Sequence, residues 1–263
     1  MSKIMEKILS FKNSQDKTHK IFSILGIKIK FKKKYKKSYA LDSGERQTGK
    51  TIEEIRADHV SRYELAVNVI KSHFGSNLNL KGMDVFCGNG YGSLLIEQKT
   101  NAELTSIDGS KEAVQLAKKY YGNNKIKYTC KCFPFRMKKN CYDFIVSLES
   151  IEHVKDDALF LNCLYGALKQ NGILIISTPN SEKNDLTVNV NHFHYRHYTN
   201  EEFIRFSRAM GFELLEMYGQ DVYSVNQYGG MTGVLAPNEM KLEKNYEGQF
   251  SIFVLRKGFN YGK

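Results

Sequence analysis

The sequence predicts an α/β protein built on a mainly parallel sheet with helices on both faces. Three observations carry this. From Met83 onward, short apolar runs alternate with stretches that are apolar at helical spacing. The first apolar run stops at a glycine cluster, Gly88-Asn89-Gly90-Tyr91-Gly92. The second ends on an acid, Asp108, which stands 18 residues after Gly90.

Taken in order, Met83–Phe86 reads as a strand that runs into the glycines, and a helix follows with Leu94, Leu95 and Ile96. Residues 104–108 form the next strand, after which Ser110 caps a helix carrying Ala113, Leu116, Ala117 and Tyr120. Strands are expected at 126–129 and 144–147, a helix around 159–168, a turn at Asn171-Gly172 and a strand over 173–177. Thr199-Asn200-Glu201-Glu202 has the form of a capping box, opening a helix with Phe203, Phe206 and Met210. Strands near 212–217 and 250–255 complete a set of seven. Between them, residues 219–248 are rich in Gly, Asn and Tyr, as in a loop insertion beside a site; the acceptor-side insertions are placed within 182–248.

Upstream, Thr51-Ile52-Glu53-Glu54 has the same capping-box form, and Leu65, Ala66, Val69 and Ile70 share a helical face ending near Gly75. Residues 39–80 are therefore read as an N-terminal helical cap on a domain spanning 39–263. Residues 1–38 differ in kind. They hold twelve Lys against Glu6 and Asp16, a net +10, while the remaining residues carry +1 of the total +11. Such an arm suits an anionic membrane or polysaccharide, or is a solvated lysine tail; a neutral body argues against nucleic acid. From Ile27 the arm alternates apolar residues with Lys, as a strand does. Five cysteines form no CxxC pair, so neither a zinc site nor a disulfide framework is expected, and no apolar run approaches 18 residues. A cytoplasmic protein with reduced thiols, peripheral at most to the inner face of a membrane, is the expectation.

In an open parallel sheet, ligands bind at the carboxyl ends of strands where the strand order reverses. Glycines there let the backbone approach a ligand, and a carboxylate ending the second strand can accept hydrogen bonds from both hydroxyls of a ribose. That pattern alone also fits a dinucleotide. Two details point elsewhere: Ser93 stands where the third glycine of a GxGxxG would be, and Asp84 lies in the first strand, where a negative group favours a sulfonium and ammonium ligand over a pyrophosphate.

The run Met83-Asp84-Val85-Phe86-Cys87-Gly88-Asn89-Gly90 resembles the first motif of class I S-adenosylmethionine-dependent methyltransferases. Ile107-Asp108-Gly109-Ser110 resembles their second, Tyr142–Ser147 the fourth-strand motif, Ile151-Glu152-His153-Val154 the segment after it, and Leu168 through Asn180 the fifth strand and its exit. The resemblance covers about residues 56–215. It implies a Rossmann-like, seven-stranded, mainly parallel sheet and S-adenosyl-L-methionine as cofactor. It further implies that Asp84, Gly88 and Gly90 line the methionine portion, that Asp108 holds the ribose, and that Asn89 and Gly109 also bind the cofactor. Cys132 and Phe133 lie by the adenine, Ser147 and Leu148 border the sulfonium, and Arg62-Tyr63 folds over the cofactor. Phe86 departs from the family, standing where the first glycine of the loop is usual. Its ring must point away from the ligand, or the methionine end is bound differently.

Methyl transfer to an alcohol needs a base to take the proton. His153, after the fourth strand, is the candidate, with Glu149 and Glu152 to orient it or hold a polar acceptor. The segment Asn191-His192-Phe193-His194-Tyr195-Arg196-His197 packs three histidines and an arginine together, and His194 and Arg196 are expected on the acceptor wall. In similar proteins an Asn-x-Phe-His segment occurs here, matching Asn191, Phe193 and His194. No metal site is assigned.

Ser147-Leu148-Glu149-Ser150 lacks the Asn/Asp-Pro-Pro-aromatic turn usual for nucleobase amino groups. Residues 19–30 of the arm resemble basic segments in proteins of surface-polysaccharide assembly. The expected acceptor is accordingly a carbohydrate or phosphate-bearing capsule or lipopolysaccharide precursor, methylated on a sugar hydroxyl or a phosphate or phosphoramidate oxygen. A lipid quinone or other small-molecule hydroxyl is the alternative, and RNA a more distant one.

Overall fold

The computed structural model describes residues 46–75 and 79–258, together with the backbone of three strands nearer the N-terminus. Those strands, β1 (Leu9–Asn13), β2 (His19–Ile24) and β3 (Ile27–Lys32), form an antiparallel sheet in the order β1-β2-β3 within a compact unit spanning 1–37. The strand expected from Ile27 is thus present and paired with β2. The arm's other expected properties lie outside the described residues.

The body, residues 38–263, holds one large sheet. Its parallel strands are β4 (Lys81–Val85), β5 (Glu103–Asp108), β6 (Ile126–Cys130), β7 (Tyr142–Ser147) and β8 (Leu168–Pro179). Strands β9 (Phe212–Gln220) and β13 (Phe250–Lys257) follow, with β13 inserted antiparallel between β8 and β9. These are the seven strands expected. The sheet has eight: β12 (Leu242–Lys244) pairs antiparallel with β9 and covers its edge, giving the order β12-β9-β13-β8-β7-β4-β5-β6. The insertion between β9 and β13 supplies this strand, capping an edge that would leave backbone donors and acceptors unpaired. The same insertion folds a small hairpin, β10 (Tyr223–Val225) with β11 (Met231–Val234). At Asn171-Gly172 the chain does not turn out of the sheet. Asn171 takes φ 61° inside β8, and the pairing with β7 shifts register between Tyr142 and Phe144.

Strand periodicity divides the core into two layers. Phe144, Val146, Ile173, Ile175, Ile252 and Val254 face one way, while Ile145, Leu174, Ile176, Phe253 and Leu255 face the other. The first layer is closed by α1 (Ala57–Phe74), α2 (Tyr91–Thr100) and α3 (Lys111–Tyr120), and the second by α4 (Asp157–Ala167) and α5 (Asn200–Ala209). Both faces of the central strands are buried, which is why their sequences are continuously apolar. Helix α1 stops at Gly75 (φ 62°), whose N–H donates to the Lys71 carbonyl. Its buried Ala66, Val67 and Ile70 belong to the main core.

Two of the three expected helix caps form. Ser110 Oγ accepts from Ala113 N–H at 3.1 Å and Thr199 Oγ1 from Glu202 N–H at 3.1 Å. Thr51 makes no side-chain cap: Ile52–Glu54 is a single 3-10 turn, α1 starts only at Ala57, and Glu54 reaches back to the Lys50 N–H (2.6 Å). Among the described residues, no helix is long and apolar enough to cross a membrane.

Candidate active site

The carboxyl ends of β4, β5, β7 and β8 lie on one edge of the sheet, and the strand order reverses between β4 and β7. A cavity of about 320 Å³ opens there. One end is walled by Gly88 and Asp108, with Arg46 and Gln47; the other by Leu148, Glu149, His153, His192, Phe193 and Tyr195.

Gly88 takes φ 56°, and a Cβ at this position would meet no atom within 4 Å, so its face is open space. Gly90 serves packing instead, since a Cβ there would lie 2.7–2.8 Å from Ala117 and the Tyr128 ring. Asp108 ends β5 with a buried carboxylate that accepts from Gly88 N–H (3.0 Å), Ser110 N–H (2.7 Å) and Arg46 Nη2 (3.3 Å). Asn89 is fully buried; its amide donates to the Gly49 carbonyl at 3.0 Å, while its Oδ1 has no protein partner. An open glycine face, a carboxylate at a strand end and an unpaired buried acceptor together fit an adenosyl group.

Phe86 occupies the usual position of the first loop glycine and adopts the left-handed backbone a glycine would, φ 64°. The price of that strain is met by packing: its ring lies edge-on to Phe160 of α4, 5.8 Å between centroids, and on the cavity wall. Asp84 stands behind the wall. Its carboxylate accepts from Ser93 Oγ (2.6 Å) and the Tyr63 hydroxyl (3.3 Å), so that Tyr63, not Asp84, lines the cavity.

Burial pushes Asp84 up to about 7, against the hydrogen bonds from Ser93 and Tyr63 that favour the anion. The folded state then holds a proton that the unfolded chain has lost between about pH 4 and pH 7, so stability falls as pH rises through that window, by up to roughly 4 kcal/mol. Asp84→Asn is expected to flatten this dependence and to unfold at higher denaturant than the parent at pH 8, as measured by denaturant titrations from pH 4 to pH 8.

Arg62, 2% exposed, is a hub. Nε donates to Gln220 Oε1 (2.5 Å), Nη2 to Asp58 (3.4 Å), Nη1 lies 3.6 Å from Glu149 Oε1, and the guanidinium stands 4.6 Å from the Phe250 ring centre. Asp58 is fully buried and is also held by Arg56 (2.5 and 2.9 Å). Burial would raise its pKa, but the bond to Arg56 and the charges of His59, Arg62 and Arg56 hold it below the ordinary carboxylate range. Arg56, Asp58, His59, Gln220, Tyr223 and Phe250 were not singled out from sequence; they come together only when α1 meets the end of β9 and the insertion.

On the acceptor side, Glu149 (φ 46°) accepts from Ser177 Oγ at 2.6 Å as well as facing Arg62, so it is engaged away from His153. Glu152 is buried, with Oε1 3.9 Å from His153 Nε2. His153 Nδ1 lies 3.1 Å from the Phe193 carbonyl. A carbonyl only accepts, so Nδ1 carries the proton, and Nε2 of the neutral ring has the lone pair. The His153 ring stands edge-on to His194 (4.6 Å), whose Nδ1 is 2.7 Å from His197 Nε2, and His197 Nδ1 is 2.6 Å from the Asn184 carbonyl. The three histidines thus form one oriented chain. Potential metal-ligand atoms of Glu152, His153 and His194 all lie within 4.8 Å of one another, a juxtaposition that sequence spacing alone does not reveal.

Several expected site residues do not line the cavity. Arg196 is off the cavity, paired with Asp157 (3.3 Å) and Glu202 and stacked on Tyr198 at 4.5 Å; it serves the surface where α4 and α5 start. Cys132 Sγ bonds to the Gly109 carbonyl (3.5 Å), and Phe133 packs on Phe160 (5.1 Å), drawn into the apolar layer under α4. Ser147 is buried against Ser150 (2.5 Å), leaving Leu148 as its neighbour on the wall.

The methyltransferase domain family matches residues 76–230, which includes the glycine loop, Asp108 and the histidine segment. The chain belongs to this family. It is a class I methyltransferase, dependent on S-adenosyl-L-methionine.

This methyltransferase is similar in fold to 1,6-didemethyltoxoflavin-N1-methyltransferase from Burkholderia thailandensis, solved with S-adenosylhomocysteine. The TM-score is 0.53 at 15% identity, over 76% of this chain and 79% of that one. It is likewise similar to the methyltransferase domain of a bacterial Hen1 protein (TM-score 0.53, 22% identity, 77% of this chain and all of that one). In sequence it resembles the ubiquinone biosynthesis O-methyltransferases of Rickettsia canadensis, 28% identical over 74% of this chain and 84% of the relative, and Rickettsia felis, 27% over 74% and 82%. These relatives correct the expectation of a capsule or lipopolysaccharide precursor as acceptor. That expectation rested on residues 19–30 of the arm, whereas the likeness to quinone-pathway enzymes covers about three quarters of the chain.

Proposed function

We propose that this methyltransferase transfers a methyl group to a ring hydroxyl of a polyprenylated, quinone-type aromatic precursor. The observation that carries it is the Glu152-His153-His194 cluster set beside the cavity behind an apolar rim. Phe193 and Tyr195 line the mouth and are half-exposed or more, at 49% and 63%. The segment bearing them is tied to the β10–β11 hairpin, where Asn189 donates to the Gly229 carbonyl and accepts from Met231 N–H, and Val225, Tyr228 and Val234 are exposed. An aromatic acceptor with an apolar tail suits such a rim better than a sugar does. The relatives' names support the same acceptor class.

S-adenosyl-L-methionine supplies an electrophilic methyl group when bound. The chain's own residues do the rest. Gly88 and Asp108 hold the adenosyl end, Leu148 and the aromatic wall exclude water, and His153 Nε2 takes the hydroxyl proton, with Glu152 stabilising the imidazolium that results. In a second reading, supported by the clustering of three ligand groups, Glu152, His153 and His194 hold a divalent cation that lowers the hydroxyl's pKa. The basic arm, at net +10, would bring the body to the anionic surface in which a polyprenyl acceptor resides.

The test is methyl transfer from labelled cofactor to a short-chain polyprenyl catechol, with and without a chelator. Label on a ring oxygen supports the proposal, and its absence from that acceptor rejects it. Activity that survives chelation assigns the proton to His153 directly; activity lost on chelation and restored by Mg²⁺, Mn²⁺ or Zn²⁺ assigns the cation.

A further inference from the structure

Arg46 stands in a segment that lies along the cofactor end of the cavity. The segment is anchored just downstream. The Gly49 carbonyl accepts from Asn89 Nδ2 (3.0 Å) in the glycine loop and from the Tyr121 hydroxyl (2.9 Å) after α3, and the Lys50 N–H donates to Glu54 (2.6 Å). Pinned in this way, Arg46 places Nη2 3.3 Å from Asp108 Oδ1, with its side chain 19% exposed against 1% for the carboxylate, and both groups line the cavity. Asp108 therefore receives three donors: two backbone N–H groups from its own loops and one cation from a segment about 60 residues earlier in the chain.

We propose that Arg46 is a positioning residue for the cofactor, occupying Oδ1 of the Asp108 carboxylate together with the Ser110 N–H so that the lone pair left on Oδ2 is aimed to accept a ribose hydroxyl. The chemistry requires an anion. A protonated carboxyl turns an acceptor site into a donor, and Asp108 has only one such site to spare for a hydroxyl. The setting works against ionisation, because burial pushes the Asp108 pKa up, and the groups facing it from neighbouring elements are the buried Asp84 of β4 and the Cys87 thiol, neither of them cationic. Arg46 is the largest influence in the other direction, followed by the N–H groups of Ser110 and Gly88. The remainder of the pinned segment, Gln47 on the cavity wall and Gly49 on Asn89, closes the same end of the site.

The experiment is calorimetric titration of S-adenosylhomocysteine into the full chain and its Arg46→Ala and Arg46→Lys variants from pH 6 to pH 8.5. A charge-assisted contact of this kind corresponds to about 10–100-fold in affinity. Arg46→Ala is expected to weaken binding by that factor, with the larger loss at the acid end of the range, since removing the cation raises the Asp108 pKa further. The Lys variant is expected to stay within about fivefold of the parent, with a flat profile. The loss is expected to appear in KM for the cofactor. In an Asp108→Asn background the Arg46→Ala change is expected to have no further effect. Unchanged or tighter binding by Arg46→Ala would overturn the proposal, showing that Arg46 competes with the ribose for Asp108. A loss independent of pH and not rescued by Lys would overturn it equally, assigning Arg46 to the fold.

Discussion

His153→Ala is expected to lower turnover by about 10²–10⁴-fold while leaving cofactor affinity within about twofold of the parent. The two effects separate because the residues that perform them stand at opposite ends of the cavity: Asp108 and Gly88 at one, His153 and Glu149 at the other. The size of the loss follows from the orientation of the ring. With Nδ1–H committed to the Phe193 carbonyl and the ring packed edge-on to His194, Nε2 is presented in one tautomer, next to a buried carboxylate that stabilises the protonated form. Rapid-quench kinetics with saturating cofactor measure this directly. A loss smaller than about tenfold rejects His153 as the base. His194→Ala is expected to cost less, since it removes the packing that holds His153 rather than the basic nitrogen itself.

Arg62→Met is expected to destabilise the body by about 1–3 kcal/mol, because it removes the buried cation that faces both Asp58 and Glu149 while Arg56 stays on Asp58. For a body of some 225 residues this corresponds to a fall in Tm of roughly 2–12 °C. Lysine is expected to recover less than half, as one ammonium cannot reach Gln220, Asp58, Glu149 and the Phe250 face together. Arg62→Met and Asp58→Asn are expected to be less than additive in the double variant, because the contact between the two residues is lost only once. Thermal melts of the four proteins check this; additive destabilisation in the double variant would contradict it.

The parts of this fold that were legible in the sequence are those fixed by burial and local chemistry. Seven strands announce themselves because each central one is apolar on both faces, and Ser110 and Thr199 cap their helices through bonds that span only three residues. Strand β12 and the β10–β11 hairpin were not legible, since they are three or four residues long, mostly exposed, and defined by pairing to an edge or to each other rather than by a buried face. Thr51 misled because Gly49 and Glu54 engage distant or neighbouring groups that hold the chain out of a helix until Ala57.

The site divides in the same way. Gly88, Asp108, Leu148, Glu149 and His153 follow strand ends and line the cavity. Phe133 and Arg196 were drawn elsewhere by a neighbouring ring and by surface acids that only the tertiary structure supplies. The Arg62–Gln220 contact spans 158 positions, and no local pattern could report it.

The central claim is that the cavity seats the cofactor with its ribose on Asp108 and its reactive end toward the Glu152-His153-His194 cluster. A crystal structure of the chain with S-adenosylhomocysteine and a catechol analogue tests it most directly. The expected result is a ribose hydroxyl on the Asp108 carboxylate, the cofactor sulfur beside Leu148, and an acceptor oxygen within hydrogen-bond reach of His153 Nε2 or of a cation held by the cluster. A ribose with neither hydroxyl on Asp108, or an acceptor oxygen remote from His153, would contradict it.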